Sequence, residues 1–438
     1  MTHPSKSSFD GTTLLRFVRG YATGAGLEYD VAMINRALCE RHEIHIIQIH
    51  MARPGESLEP QEFQIGRGRV TTIPLLREIL PVTHAKESNN KLKSYFRFCK
   101  HWVRDNILFN PLTESWTIQS AYRKQPTQKP GDVPGLGIKI REILNAKKVT
   151  MLLIHAGGGS DTWEAIHEAR RLGLPTAMQL HFANERFRDY SVRVQVAQVD
   201  GIGGVSDVDV PTYLISRFTN LLTAIDLDFF SRRKAPFISR RFTRPTLILP
   251  ARIVPTKGHD DLVDAVNILS TWGLAVDVIF AGRADQPEYE NSLRQRISAA
   301  NLEDSFHFLG LLNPEQLRDL YTTCHVLAFP TYHQEGLPRI LLEAQAMELP
   351  VVVYNSGGSR AGMVPGKTGF LIEPGDVNGF ADAIRRLVMD PDLANSYAKA
   401  GRIFVESNFG LDALADRHER FITKTLITAS SHQDYSAY

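Results

Sequence analysis

The sequence predicts an α/β protein made of two doubly wound, Rossmann-like domains facing a central cleft. Three observations lead there. Short apolar runs of strand length alternate with amphipathic stretches of helical length. The alternation stops in a basic, turn-rich stretch near the middle and then restarts. The chain's 438 residues exceed what one ordinary core holds, so two domains of about 200 residues each are expected.

Composition bounds the class of function. With 43% apolar and 22% charged residues, the chain has the make-up of a soluble globular protein with sizeable cores. A formal charge of +2 gives no general attraction to nucleic acid, and none is expected as a partner. Cys39, Cys99 and Cys324 are far apart, odd in number and lack ligand spacing, so neither a disulfide framework nor structural zinc is expected. No apolar leader core opens the sequence and no long apolar run follows, so the cytoplasm is the default location.

The first element is a strand over about 12–18, followed by a Gly-containing loop, a helix over about 27–41 and a strand over 44–50. Such a βαβ opening implies a parallel sheet. Residues 51–145, with "RKQPTQKPGDVPGLG" among them, read as long loops around one or two helices. Alternation resumes with "VTMLLIHAGGG", a helix over about 162–172, "PTAMQLHFA" and "VDGIGGVSD".

Residues 1–230 form the expected first domain and "SRRKAPFISRRFTRP", 231–245, the linker. The second domain, 246–410, then runs through "TLILPAR", a helix over 258–272, "AVDVIFAGR", a helix over 287–300, "SFHFLG" and a helix over 314–322. It continues with "HVLAFPT", a helix over 338–347, "PVVVYN", "GFLIEPGD" and a helix over 377–389. A C-terminal helix and a frayed polar tail are expected over 411–438.

Strand ends carry the candidate chemistry. Arg252 ends one strand, and Lys257 follows just before a helix, where guanidinium, ammonium and outward backbone N–H groups together suit a diphosphate. Solvated loop charges are the equal alternative. Further on, Glu335 lies in a Gly-Pro turn and Glu343 falls in the middle of the next helix, among Leu342, Ala344 and Ala346. A carboxylate there needs a polar cleft or a paired partner, because unpaired burial of charge is costly. Plain surface glutamates are the commoner fate of such residues. Gly357-Gly358 suits either close approach of a ligand or a tight turn.

In the order "ARIVPTKG", "FHFLG", "FPTYHQEGLPRILLEAQAMELPVVV", "GG" and "GKTGFLIEPGD", the chain resembles the retaining glycosyltransferases of family 4, of GT-B architecture. The resemblance covers about 246–410, and the variant here is similar to bacterial transferases that build surface polysaccharides or modify lipid-linked intermediates. It implies Arg252 and Lys257 at the donor diphosphate, Glu335 at the sugar hydroxyls and Glu343 at the nucleotide ribose. It also implies backbone N–H groups of Gly336 and Leu337 along the sugar, and the base near Leu309 to Leu311. The first half is less similar: Gly24 and Gly26 match the family's Gly-rich loop, His181 in "AMQLHFAN" matches a histidine that meets the donor sugar, and "NLLTAIDLDFF" departs from the usual hinge at Thr223-Ala224-Ile225.

The resemblance implies transfer of a sugar from a UDP- or GDP-sugar to a hydroxyl acceptor, saccharide or lipid-linked, in glycan synthesis. The nucleotide-sugar is then a substrate, and neither a cofactor nor a metal is expected. The DxD triplets at Asp207-Val208-Asp209, Asp226-Leu227-Asp228 and Asp390-Pro391-Asp392 lie outside the diphosphate loop and read as caps and turns. The stretch 91–109 carries an apolar stripe beside Lys93, Arg97, Lys100 and Arg104. It suits either its own domain's core or the inner face of a membrane, which would make the location peripheral. Three rivals share the architecture: a nucleotide-sugar-binding protein without transfer, a nucleotide-sugar 2-epimerase and a phosphorylase-like enzyme.

Overall fold

The computed structural model describes residues 9–18, 25–51, 59–75, 136–155, 160–180, 195–204, 210, 212–235, 243–333 and 336–435. The chain divides into two units: residues 1–222 with 414–438, and residues 223–413.

The first unit is built on an eight-stranded sheet. Its elements are β1 (Thr13–Val18), α1 (Ala25–Arg41), β2 (His45–Met51), β3 (Gln61–Ile65), β4 (Gly68–Leu75), α2 (Leu136–Ala146), β5 (Met151–His155), α3 (Ser160–Arg171), β6 (Thr176–Gln179), β7 (Gly201–Gly204) and β8 (Phe218–Asn220). The order is β3-β4-β2-β1-β5-β6-β7-β8, parallel except for the β3–β4 hairpin. β1 pairs Leu14 with Ile46 on one side and with Met151 on the other. Strands buried on both faces read as apolar runs, and Leu15, Ile47, Leu152, Ile154 and Met178 form their core.

Two features depart from the sequence reading here. Between 51 and 145, where loops are expected, β3 and β4 form a hairpin, and β3 is exposed from Gln61 to Gln64. An edge strand in water needs no apolar alternation, so QEFQI carries little strand signal. The second departure is at the C-terminus, where a helix running from Leu411 to Tyr435 takes in most of the expected tail. From Leu414 onward it belongs to the first unit, where Leu414, Phe421 and Ile422 are buried. Arg41 meets Asp416 at 2.5 Å and Glu419 at 3.0 Å, and Lys424 donates to the Phe218 carbonyl at 2.7 Å.

The second unit carries a six-stranded, wholly parallel sheet. Its elements are β9 (Thr246–Leu249), α4 (His259–Thr271), β10 (Asp277–Phe280), α5 (Pro287–Ala299), β11 (Phe306–Phe308), α6 (Pro314–Tyr321), β12 (Val326–Phe329), α7 (Arg339–Ala346), β13 (Val351–Tyr354), β14 (Gly369–Ile372), α8 (Val377–Met389) and α9 (Pro391–Phe409); the C-terminal helix is α10 (Leu411–Tyr435). TLIL, DVIF, VLAF and VVVY are buried at every position.

Strand order β11-β10-β9-β12-β13-β14 winds outward in one direction from β9 and in the other from β12. The topological switch point therefore lies between β9 and β12, and ligands of such sheets bind beyond the carboxyl ends of the strands there. The break between units falls after Leu222 rather than at 231. Physically, 223–235 is tied to the second unit: Ile225 N–H donates to the Phe409 carbonyl at 3.0 Å, and Arg402 to the Phe230 carbonyl at 2.7 Å. Thr223, Ala224 and Ile225, where the hinge segment departs from the family pattern, are buried.

Candidate donor site at the carboxyl edge of the second sheet

The loops after β9 and β12 meet at the switch point. After β9 the chain passes Arg252 and makes a short 3-10 turn, Pro255–Lys257, before Gly258 opens α4. Gly258 has φ 75°, and a side chain there would overlap the Pro330 carbonyl, so both its conformation and its closeness demand glycine. From the other loop, the N–H groups of Tyr332 and His333 donate to the Thr256 carbonyl at 2.9 and 3.1 Å, and the Thr331 hydroxyl joins them at 3.2 Å. Lys257 Nζ lies 5.9 Å from the centre of the Phe329 ring, at the end of β12. The lysine is thus set beside a helix start by two loops bonded to each other.

Arg252 is not an isolated cation. It donates to Asp285 Oδ2 at 2.6 Å, and Arg283 donates to Asp285 Oδ1 at 2.9 Å. The hydrogen bonds from Arg252 first and Arg283 second hold the Asp285 carboxyl below its usual range. Two guanidinium groups and one carboxylate leave a net positive charge. Arg283 follows β10 as Arg252 follows β9, so the placement that singles out one of them points to the other as well.

The first turn of α4 is acidic, which suits the positive end of the helix dipole. Asp261 accepts from the hydroxyls of Tyr332 and Tyr354, each at 2.6 Å, and Asp260 accepts from Tyr289 at 2.6 Å. Tyr332 belongs to the loop after β12, so a side-chain bond adds to the backbone bonds between the loops. Under the same turn His259 is fully buried against the Phe280 ring, 4.9 Å centre to centre. Burial, reinforced by the Lys257 charge, pushes its pKa down to about 4, so the ring is neutral.

Pro338 opens α7, and the turn before it is held by backbone contact. A side chain on Gly358 would overlap the Gly336 carbonyl oxygen. The glycine pair after β13 therefore admits the Gly336-Leu337 turn itself, which places that backbone on the carboxyl edge. Glu343, in the middle of α7, is 5% exposed. It takes the paired alternative rather than an open cleft: Tyr321 donates to Oε2 and Arg339 to Oε1, each at 3.3 Å. Burial raises its pKa, while Arg339 and Tyr321 act against that. Beyond β11, the Leu309 N–H donates to the Phe280 carbonyl at 2.9 Å, Gly310 has φ 67°, and Leu311 is 77% exposed.

The structure thus gathers Arg252, Lys257, Gly336, Leu337, Leu309 and Leu311 on one sheet edge, with Glu343 in the helix that follows β12. Gly26 lies in the first turn of α1 in the other unit. Glu335, His181 and Gly24 lie outside the described residues, as do 91–109 and Asp207-Val208-Asp209. The other two DxD triplets are a turn and a cap. Asp226 Oδ1 accepts from the N–H groups of Asp228 and Phe229, and Asp390 Oδ1 caps α9 through the Leu393 N–H. Among the described residues no group of three or more His, Cys, Asp or Glu side chains is arranged to hold a metal ion.

Sequence position hides three of these contributors. Tyr321, Arg339 and Asp285 gain meaning only from the partner that tertiary placement gives them. Arg339 alone carries a local signal, standing four residues before Glu343 on one helix face.

Residues 231–404 match the family model described as glycosyl transferases group 1. The chain is similar to a GDP-mannose-dependent alpha-(1-6)-phosphatidylinositol monomannoside mannosyltransferase of Mycobacterium tuberculosis, with 30% identity over 41% of this chain and 47% of that protein. The chain thus aligns with about half the length of that curated relative. Among solved structures, a glycosyltransferase from Rickettsia africae superposes with TM-score 0.66 at 16% identity, covering 95% of this chain and 98% of that one. Anabaena HepE in complex with UDP superposes with TM-score 0.63 at 14% identity, covering 94% and 100%. At such identities the two structures show the fold, which is that of the GT-B transferases.

Proposed function

We propose, from a chain whose residues 231–404 match the family model described as glycosyl transferases group 1, that this protein moves a sugar from a nucleoside-diphosphate sugar to a hydroxyl acceptor. The observation that carries the reading is the switch point between β9 and β12, where the mutually bonded loops after these strands set Lys257 beside the start of α4, and Arg252 pairs with Asp285, itself paired with Arg283, from the loop after β10. As the sugar–phosphate bond breaks, negative charge grows on the departing diphosphate. Cations fixed in advance at Arg252 and Lys257 stabilise that charge more in the transition state than in the ground state. In this reading the Gly336-Leu337 backbone donates N–H groups along the sugar and Glu343 takes the ribose, while Glu335 and His181 keep the sugar-binding roles that the family resemblance implies.

Retention follows in this reading from front-face attack, with the leaving phosphate accepting the acceptor's proton. The donor is a UDP- or GDP-sugar: the mycobacterial relative is named for GDP-mannose and the Anabaena structure contains UDP. In this reading the cations do the work a metal would do at the diphosphate, and metal-independent transfer is the expectation. The acceptor is a saccharide or a lipid-linked hydroxyl, reached from the cytoplasm or the inner membrane face. Among the described residues no helix is long and apolar enough to cross a membrane.

The test is thermal stabilisation by UDP, GDP and their sugars, with and without EDTA, repeated on Lys257→Ala. Saturation at a hundredfold excess over Kd corresponds to about 2.7 kcal/mol, a shift of several degrees. The expected outcome is a shift with one nucleotide family, insensitive to EDTA and much reduced in Lys257→Ala. Equal shifts in the variant would remove Lys257 from the diphosphate. Binding without turnover of the bound nucleotide-sugar would favour a binding protein over a transferase.

A further inference from the structure

Glu343 is held at both oxygens by groups of different kinds. Tyr321 is the last residue of α6, a helix whose start is fixed by a reciprocal cap: the Asn313 side chain accepts from the Gln316 N–H at 2.8 Å, and the Gln316 side chain accepts from the Asn313 N–H at 3.0 Å. The cap helps to fix where the buried phenol meets Oε2. Arg339, at the first position of α7, reaches Oε1 from one turn away, and its side chain is 24% exposed against 6% for Glu343. Both contacts are 3.3 Å, longer than is usual for charge-assisted bonds, so neither is at its strongest.

A ribose presents two neighbouring hydroxyls, and a carboxylate takes both only when ionised, because a protonated carboxyl has turned one of its oxygens into a donor. Burial at this position works against the ionised form. Among the described residues the groups that act on Glu343 are Arg339 from its own helix and Tyr321 from α6. Cys324, beyond Tyr321, has a thiol pushed up to about 12 by burial and stays neutral. Arg339 is therefore the positive charge in this set.

We propose that Arg339 is a positioning residue that acts through Glu343 and sets the pH range over which the chain grips the ribose diol of its donor nucleotide, with Tyr321 as a neutral second anchor. This rests on the reading of the carboxyl edge as a nucleotide-sugar site. The Arg339 cation keeps the buried carboxylate in its two-acceptor form as pH falls, and the Tyr321 hydroxyl, donating to Oε2, holds it in place and favours the ionised form more weakly.

The experiment titrates the full chain with UDP and GDP and with their 2′,3′-dideoxy counterparts, across about pH 5 to 8, where buried carboxyls titrate. It compares the natural protein with Arg339→Met, Arg339→Lys and Tyr321→Phe. For whichever nucleotide binds, the natural protein is expected to prefer the ribose form by about tenfold or more, as bonds to a charged group imply. In Arg339→Met that preference holds at the upper end and disappears at a higher pH than in the natural protein. Arg339→Lys restores the natural profile, and Tyr321→Phe lowers the preference at every pH and moves the profile in the same direction as Arg339→Met, by less. An Arg339→Met profile identical to the natural one overturns the proposal. No ribose preference in the natural protein overturns the assignment of Glu343 to ribose, and with it this inference. Binding of neither nucleotide overturns the nucleotide reading itself.

Discussion

His259 shows how a single residue beneath the site ties stability to pH. Its neighbours Gly258 and Lys257 form the loop that meets Pro330 and Phe329, so its imidazole is part of what the diphosphate loop rests on. In the folded chain its pKa is pushed down to about 4, by burial first, against an ordinary value of about 6.5 in the unfolded chain. The unfolded state therefore binds more protons between those values. Its contribution is fully present above about pH 6.5 and is lost as pH falls towards 4. From pH 7 to pH 5 this amounts to about 2 kcal/mol. His259→Phe has no proton to bind and should flatten that part of the curve, measured as the denaturation midpoint of the second unit against pH. A slope as steep as the natural protein's in the variant would assign the pH dependence elsewhere.

At the scale of elements, the carboxyl edge depends on backbones that touch, which makes small residues decisive. Gly358→Ala places a methyl where the Gly336 carbonyl lies. The turn that carries Gly336 and Leu337 must move, and because a displacement of about 1 Å at a reacting centre costs about a hundredfold, nucleotide-sugar turnover should fall by at least that much. The unit's melting temperature should fall only modestly, since the core strands are untouched. A variant with full turnover would show that this turn does not line the sugar. The second sheet is legible in sequence for a physical reason: parallel strands covered on both faces leave uninterrupted apolar runs, and α8 falls at Val377–Met389, the span its periodicity indicates. β3 is not legible because water, not a core, faces it, and the α9 helix after Asp390 lacks a comparably clear stripe. Of the site, Arg252 and Lys257 follow from where strands end, and the Gly336-Leu337 turn from the family resemblance. The Arg339–Glu343–Tyr321 set does not, because the choice of partner is made by α6, eighteen residues or more away along the chain.

At the scale of the whole molecule, the chain's last helix serves the first unit, although about 190 residues separate Leu222 from Leu414. Gly201, in β7, leaves room for Thr425, whose hydroxyl a side chain at 201 would overlap. Burial of Leu414, Phe421 and Ile422 contributes about 1.5–3 kcal/mol each, a sum comparable to the whole stability of a domain. Cutting the chain after Ala413 removes these contacts together with those of Arg41 and Lys424. The first unit should then unfold while the second, with its own sheet and helices, stays folded. Limited proteolysis read by mass gives the comparison: rapid cleavage across 136–180 in the shortened chain, and a surviving fragment from about 223 to 413 that a nucleoside diphosphate still stabilises. If instead 136–180 stays protected, the final helix is dispensable, and the first sheet owes its stability to other contacts. If the second unit is lost as well, the two units fold as one cooperative body, and donor binding at Lys257 depends on the helix that closes the chain.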